Sequence, residues 1–380
     1  MAREFDVVVY GATGYTGRLV AEYLTGRDGG IKWAMAARSE DKLTEVRDLI
    51  GAPKDIPFII ADAMDAEALT AMCLRAKVVL STAGPYQLYG DALVAACAAT
   101  GTDYVDLTGE SGWIAKMMGL HADQAKATGA RLVFSCGFDS VPFDYGVVFV
   151  QEEAKKRFGA YAPRVRGRVR AMQGGASGGT VASGMATMAA MQKDPSIGLL
   201  LIDPFALTPD FKGPAQPELN KTYEDTVTGS WVAPFIMASI NTKAVHRTNY
   251  LNGHAWGTDF AYDELAMISG PDDTSGPNFA MSPLKPGEGP TKEEREAGFY
   301  DVLFVAEYAD GRTFRTSVKG DRDPGYGSTS KIIAECAIYL ANNVSHEQTA
   351  GGCWTTAAAM GTGLIPVLAE KAGLTFHVEG

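Results

Sequence analysis

The segment FDVVVYGATGYTG, residues 5–17, constrains this chain more than any other. A β-branched run ends in three glycines, Gly11, Gly14 and Gly17, and a helical pattern begins at once. A strand, a glycine turn and a helix in that order form a dinucleotide-binding element. The first glycine permits the tight turn, the second lets backbone approach a pyrophosphate, and the third allows close helix–sheet packing. The turn Gly11-Ala12-Thr13-Gly14-Tyr15-Thr16-Gly17 is therefore the expected phosphate cradle, with the helix N-terminus supplying free N–H groups and a positive dipole end. A glycine turn that merely packs a helix in an unliganded domain reads the same in isolation.

The segments beyond the turn decide between these. Short apolar runs at 5–10, 32–37, 57–61, 77–81, 103–106 and 131–135 alternate with amphipathic segments at 15–25, 39–50, 65–75, 87–100 and 111–127. Six strands in this rhythm predict an α/β fold, an N-terminal Rossmann doubly wound parallel sheet, with ligands beyond the carboxyl ends of the strands. Ser39 and the Glu110-Ser111 pair are expected to cap the second and fifth helices. Past residue 157 the rhythm breaks. Runs at 164–172, 255–269 and 300–318 have period-two character, the last folded around Asp310-Gly311, and predict a second mixed α/β substrate and dimerisation domain. A chain of 380 residues exceeds what one core supports. The expected division is 1–145 for the NADP-binding Rossmann domain, 146–325 for the substrate domain, and 326–380 for a segment returning to the first.

The end of the second strand selects the cofactor. An NAD site usually places an acid there to bind the ribose 2′-hydroxyl, whereas this strand ends in Arg38. A guanidinium suits a 2′-phosphate, so the expected cofactor is NADP, with NAD less favoured. Glu40 and Asp41 are the acids that would reverse this, and they are expected instead in the first turn of the next helix. Asp62 is an expected partner for the adenine amino group, or else a simple cap. The loop Ser81-Thr82-Ala83-Gly84-Pro85 is expected beside the nicotinamide, and Gly84-Pro85 makes it a fixed turn. Phe138 and Asp139 in GFDSVP, residues 137–142, lie on the same rim. Asp139 or Ser140 could equally be the N-cap of a helix that Pro142 begins and that runs to about 157.

Composition excludes other classes. A net charge of −11 opposes binding to nucleic acid or to anionic membrane surfaces. Arg164, Arg166, Arg168 and Arg170 alternate along one strand and are expected on a solvent-facing edge. Five scattered cysteines without CxxC spacing predict free thiols and no metal site. No apolar run approaches the ~20 residues of a membrane span. With a strand opening directly at the N-terminus, the expected setting is cytoplasmic.

Several segments together are similar to the saccharopine dehydrogenase-like oxidoreductases, including the bacterial trans-acting enoyl reductases. They are GATGYTG at 11–17, AAR at 36–38, STAGPY at 81–86, YVDLTGE at 104–110 and CGFDSVP at 136–142. SGGT at 177–180, PGYGSTSK at 324–331 and GGCWTTAAAMG at 351–361 extend the resemblance over nearly the whole chain. It implies a Rossmann domain, a mixed α/β substrate domain and a C-terminal return. It also implies reduction of an enoyl, carbonyl or imine-type substrate by NADPH. No arginine cluster suits saccharopine itself.

Hydride transfer asks the protein to hold donor against acceptor and to supply a proton. The rim groups suited to this are Tyr86, Asp139, Ser140 and Thr180, with Tyr86 the first choice as proton donor and stacking on the cofactor as its alternative. Thr180 and Ser183 stand in or beside a glycine-rich segment, 174–180, expected to approach the substrate. Met185, Met188 and Met191 come next at helical spacing and are expected in the core rather than along a lipid groove. The apolar runs 197–202 and 231–240 raise the same choice, with a homodimer interface as a third. Residues 270–298 are expected as a long loop or lid. Two rival classes share the opening turn. A short-chain dehydrogenase needs a tyrosine four residues before a lysine, and no tyrosine here has one. A non-catalytic NADP sensor or scaffold fits the same glycine turn.

Overall fold

The computed structural model describes residues 3–277, 285 and 287–379. The first half keeps the predicted rhythm: β1 (Phe5–Tyr10), α1 (Tyr15–Gly26), β2 (Trp33–Ala37), α2 (Glu40–Ile50), β3 (Phe58–Ile60), α3 (Ala66–Cys73) and β4 (Ala76–Ser81). Next come α4 (Tyr86–Tyr89), α5 (Asp91–Thr100), β5 (Asp103–Asp106), α6 (Ser111–Thr128) and β6 (Arg131–Val133). The strands lie parallel in the order β6-β5-β4-β1-β2-β3. The order reverses at β1 and β4, and the crevice at that reversal is where doubly wound sheets bind ligands.

Helix α7 (Val141–Phe158) leaves this sheet and runs through the interior, apolar on most of its surface. A Cβ at Gly146 would collide with the Phe304 ring, so this glycine permits the close approach of helix and second sheet. That sheet is built from β7 (Arg164–Gln173), β8 (Tyr223–Asp225), β9 (Ser230–Pro234), β10 (Ala261–Ile268), β11 (Phe299–Glu307) and β12 (Thr313–Gly320). Between its strands stand α8 (Gly178–Lys193), α9 (Ser196–Ile202), α10 (Ala238–Leu251) and α11 (Lys292–Ala297). After a π-helical turn at Pro324–Ser328 come α12 (Thr329–Asn343), β13 (Gly352–Trp354), α13 (Thr356–Met360), α14 (Leu364–Lys371) and β14 (Leu374–Val378). The C-terminal segment divides between the sheets: β13 pairs in parallel with β6, whereas β14 pairs antiparallel with β12.

Three expectations are corrected. The four arginines do not line a sheet edge, because β7 is central, between β10 and β11. Their charges are met by carboxylates on the neighbouring β10 and β11 and, from further across the sheet, by Asp225 on β8. Arg168, fully buried, lies 2.7 Å from both Asp225 and Asp263, and Arg170 lies 2.7 Å from Asp301. Alternating arginines mark a cross-strand ion ladder, and the matching acids are too far along the chain to be seen with them. Met185 and Met188 are exposed rather than in the core (67% and 65%). The reason is that the inner face of α8 is polar, with Thr180, Ser183 and Thr187 facing Tyr326, Gly84 and Gln87. Glu110 is the third. Its side chain leaves α6 uncapped and accepts the N–H groups of Tyr86 (2.9 Å) and Gln87 (2.8 Å) across the rim.

Candidate active site

The glycine turn has the predicted strand–turn–helix form. Gly11 has φ +87°, open only to glycine at low cost, and a Cβ at Gly17 would overlap the Gly11 carbonyl. Gly14 is exposed, and no hydrogen bond among the described residues uses the N–H groups of Thr13, Tyr15 or Thr16. Ala12 is buried, with its N–H on Ala36 O at 3.2 Å. At the end of β2, Arg38 is exposed and has no ion pair among the described residues, while Glu40 and Asp41 lie in the first turn of α2. Arg38 and Asp62 both act on Tyr10, which places them together beyond the ends of β1 to β3. One oxygen of Asp62 accepts Met64 N–H at 2.9 Å, and Asp65 is the cap of α3. Open N–H donors and a glycine approach fit the pyrophosphate of NADP, and an unpaired guanidinium fits its 2′-phosphate.

The loop after β4 splits into scaffold and surface. Ser81 is buried, and the Thr82 hydroxyl donates to the Tyr10 and Gly11 carbonyls at 3.2 Å. Ala83, Gly84 and Pro85 form the accessible rim. Tyr86 does not present its hydroxyl to the cleft. The phenol is buried, donates to Ser81 O at 3.0 Å and accepts Leu107 N–H at 3.1 Å, and its ring lies 5.4 Å from Trp113. Burial also pushes its pKa well up. Tyr86→Phe is therefore expected to lower stability by about 1–3 kcal/mol, the cost of orphaned buried backbone groups, and to leave turnover within about twofold. Chemical denaturation and initial rates together check this; a large loss of rate in a stable variant would return Tyr86 to the chemistry.

The loop after β6 carries the distinctive group. The Phe138 ring is buried against Tyr300 (4.8 Å) and Phe143 (5.4 Å), and its N–H donates to Thr329 Oγ1 at 2.9 Å, so the structure ties this residue into the scaffold behind the rim. Ser140 occupies the N-cap position of α7 with φ 144°, a strained value for serine. Its side chain makes no cap and instead bonds Asn241 Oδ1 at 3.2 Å; Asn241 donates to Glu264 at 2.7 Å. Asp139 makes no cap either and has no hydrogen-bond partner among the described residues. Burial pushes its carboxyl up to about 7. Its charge reaches Glu264, which burial lifts to about 8, and Tyr326.

Across the cleft, Ser177 caps α8 and the exposed Thr180 contacts Tyr326 Oη at 2.6 Å. Nothing in the PGYGSTSK segment singles out Tyr326 by sequence, because its partners lie about 150 residues upstream. The expected lid at 270–298 falls partly outside the described residues. Its described end is docked: Arg295 donates to Tyr15 Oη (3.0 Å) and to Pro290 O (2.8 Å), and Gly178 N–H to Glu288 O (3.2 Å). All five cysteines are free and buried. No helix among the described residues is long and apolar enough to cross a membrane.

Fold and site define an NADP-dependent oxidoreductase with a dinucleotide sheet and a second mixed sheet. The saccharopine dehydrogenase NADP binding domain model matches residues 7–133. A Mycobacterium ulcerans protein named trans-acting enoyl reductase is 34% identical over 97% of this chain and 96% of its own. A Mycobacterium tuberculosis protein that carries the same name provisionally is 37% identical over 96% of this chain and 95% of its own. The chain belongs to the saccharopine dehydrogenase-like oxidoreductases, in the group of these mycobacterial proteins. It is also similar to the apo L-Glu-forming saccharopine dehydrogenase of Saccharomyces cerevisiae, at 14% identity and TM-score 0.49 over 98% of this chain and 99% of that one.

Proposed function

We propose that this chain reduces the carbon–carbon double bond of an enoyl thioester, with the phosphate cradle, Arg38, Asp62 and the rim 81–85 and 138–139 holding NADPH. Bound NADPH supplies the hydride. The observation that carries the reading is Asp139, a carboxyl at the carboxyl end of the sheet with no hydrogen-bond partner among the described residues and a pKa lifted to about 7. A carboxyl kept protonated near neutral pH is suited to give the proton that a reduced double bond requires. Asp139 is half-buried, so its carboxyl is shifted by its surroundings yet stays within reach of a bound substrate.

The surroundings favour an apolar acyl substrate over a charged amino acid. Leu88, Tyr89, Met185, Met188, Leu199 and Ile202 are exposed around α4, α8 and α9. Exposed apolar surface of this kind marks an acyl chain's path or a subunit contact. A homodimer in a reducing, cytoplasmic setting belongs to the same reading, as does the division at residues 145 and 325, with β14 assigned to the second domain.

Stopped-flow absorbance at the NADPH band, with crotonyl-coenzyme A as acceptor, tests the reaction; binding without oxidation across a panel of enoyl thioesters would sink it. Arg38→Asp tests the cofactor. It is expected to weaken NADPH by ~30–150-fold, the value of a lost charge-assisted contact of about 2–3 kcal/mol, and NADH by less than about threefold. Fluorescence titration reads both affinities. Equal losses would separate Arg38 from the 2′-phosphate.

A further inference from the structure

The exposed Thr180 and the buried Tyr326 are joined by their hydroxyls, near enough to Asp139 for its charge to act on the Tyr326 phenol. From this geometry we infer that Tyr326 is a positioning residue that turns the Thr180 hydroxyl toward the substrate's thioester carbonyl. The inference rests on the enoyl-thioester reading above.

Hydrogen-bond accounting gives the direction. Tyr326 Oη accepts the Ser177 N–H, so one of its lone pairs is committed and its own proton is free to point at Thr180 Oγ1. A phenol and a threonine hydroxyl each bring one proton. If Tyr326 donates to Thr180, the Thr180 proton has no other taker among the described residues and is aimed outward. The Thr180 amide is separately held by Ser177 Oγ at 3.4 Å, which fixes the side chain at the first turn of the helix.

Tyr326 itself is held from two sides. Asp323 accepts its N–H at 3.0 Å and that of Gly327 at 2.7 Å. Its ring stands edge-on to Tyr15, with centroids 5.1 Å apart, and Tyr15 begins α1 beside the phosphate cradle. The pair thus sits where the cofactor-binding turn, the C-terminal segment and α8 meet. The Ser177 N–H and the positive end of a 16-residue helix both favour negative charge on oxygen there.

The electron count assigns the carbonyl its need. Hydride adds to the β-carbon, the double-bond pair moves to form a second bond between Cα and the carbonyl carbon, and the carbonyl pair moves onto oxygen. Thr180 O–H holds that oxygen while its charge develops. When the enolate collapses, the carbonyl re-forms and Cα takes the Asp139 proton, which water restores. Thr180 and Tyr326 end with the protons they began with. Donors aimed at developing oxyanion charge are among the larger contributions to catalysis.

The experiment uses isotope-edited infrared difference spectra of the full chain with NADP⁺ and crotonyl-coenzyme A labelled with ¹³C at the thioester carbonyl. In the wild type the carbonyl band moves to lower frequency on binding. Thr180→Val abolishes the shift and lowers kcat by about 100-fold; Tyr326→Phe halves the shift or more and lowers kcat by about tenfold with KM nearly unchanged. Thr180→Ser restores both. NADPH affinity, measured by fluorescence, stays within about twofold and shows that the variants are folded. A merely structural Tyr326 would raise KM or lower affinity and leave the band alone. An unshifted wild-type band, or a Tyr326→Phe band identical to wild type, overturns the inference. Wild type that fails to oxidise NADPH overturns the enoyl-reductase reading and this inference with it, whereas turnover with an unaffected Tyr326→Phe overturns the inference alone.

Discussion

Replacing Asp139 by asparagine lowers enoyl-dependent NADPH oxidation by roughly 10²–10⁴-fold, the range over which a positioned general acid contributes. The substitution preserves shape and removes only the transferable proton. Because Asp139 makes no hydrogen bond among the described residues, no partner is orphaned and the fold is expected to hold. The pH dependence gives the sign. Burial places the carboxyl at about 7, and the proton donor is the neutral form. Wild-type kcat is therefore level below pH 7 and falls about tenfold per unit above it, as one ionisation dictates. The asparagine variant loses that descending limb while keeping NADPH affinity. Single-turnover rates from about pH 5.5 to 9, spanning the ionisation, measure it. A variant within about tenfold of wild type, or one retaining the same limb, removes Asp139 from the chemistry.

How much of this site the sequence discloses depends on the range of the contacts. The cradle at 11–17 is local: a strand, a turn with one positive-φ glycine and a helix lie within some twenty residues, and their pattern carries its own explanation. The six parallel strands are legible for the same reason, each largely apolar run being set off by a turn. The second sheet is less so. β8, β9 and β14 have three to five residues each and are recruited by partners elsewhere in the chain, β14 by a strand over fifty residues upstream. Catalytic candidates divide likewise. Asp139 comes just after a strand end and is visible, but the helix start beside it is shaped by Ser140 turning toward Asn241, about 100 residues away. Tyr86 misleads because a tyrosine on a rim loop looks available; its hydroxyl is spent on Ser81 and Leu107 only once β4 and β5 are side by side. Sequence locates the rim, while packing decides which rim groups remain free.

The second large effect lies in the sheet behind that rim. Arg168→Leu is expected to destabilise the protein by about 3–5 kcal/mol, because it strands two buried carboxylates rather than merely deleting a contact. Arg168 is 0% exposed, and the Asp225 and Asp263 side chains are 1% and 0% exposed. Burial works to raise the Asp225 pKa, and the charge of Arg168 overrides it and holds the carboxyl below its usual range. Without the guanidinium, burial is opposed far more weakly. Asp263 keeps Arg164 at 2.9 Å, whereas Asp225 keeps only the longer contact with Arg166 at 3.7 Å, so Asp225 takes the larger share of the loss. The double variant Arg168→Met with Asp225→Leu should recover more than half the stability, since exchanging a buried pair for apolar side chains is often close to neutral. Denaturant midpoints of the single and double variants measure the difference. If the single variant lost less than about 1 kcal/mol, well under the cost of breaking a buried pair, the ladder would be incidental to folding. The ladder also bears on the site. Asp263 and Glu264 are neighbours on β10 and point to opposite faces: one is gripped by Arg168, and the other joins Asn241 and Ser140 behind Asp139. A strand fixed on its charged face is what keeps Glu264 in register on the other, so rate loss in Arg168→Leu should track the fraction unfolded and vanish at low temperature. A residual defect in the fully folded variant would show that the ladder shapes the Asp139 environment as well as the fold.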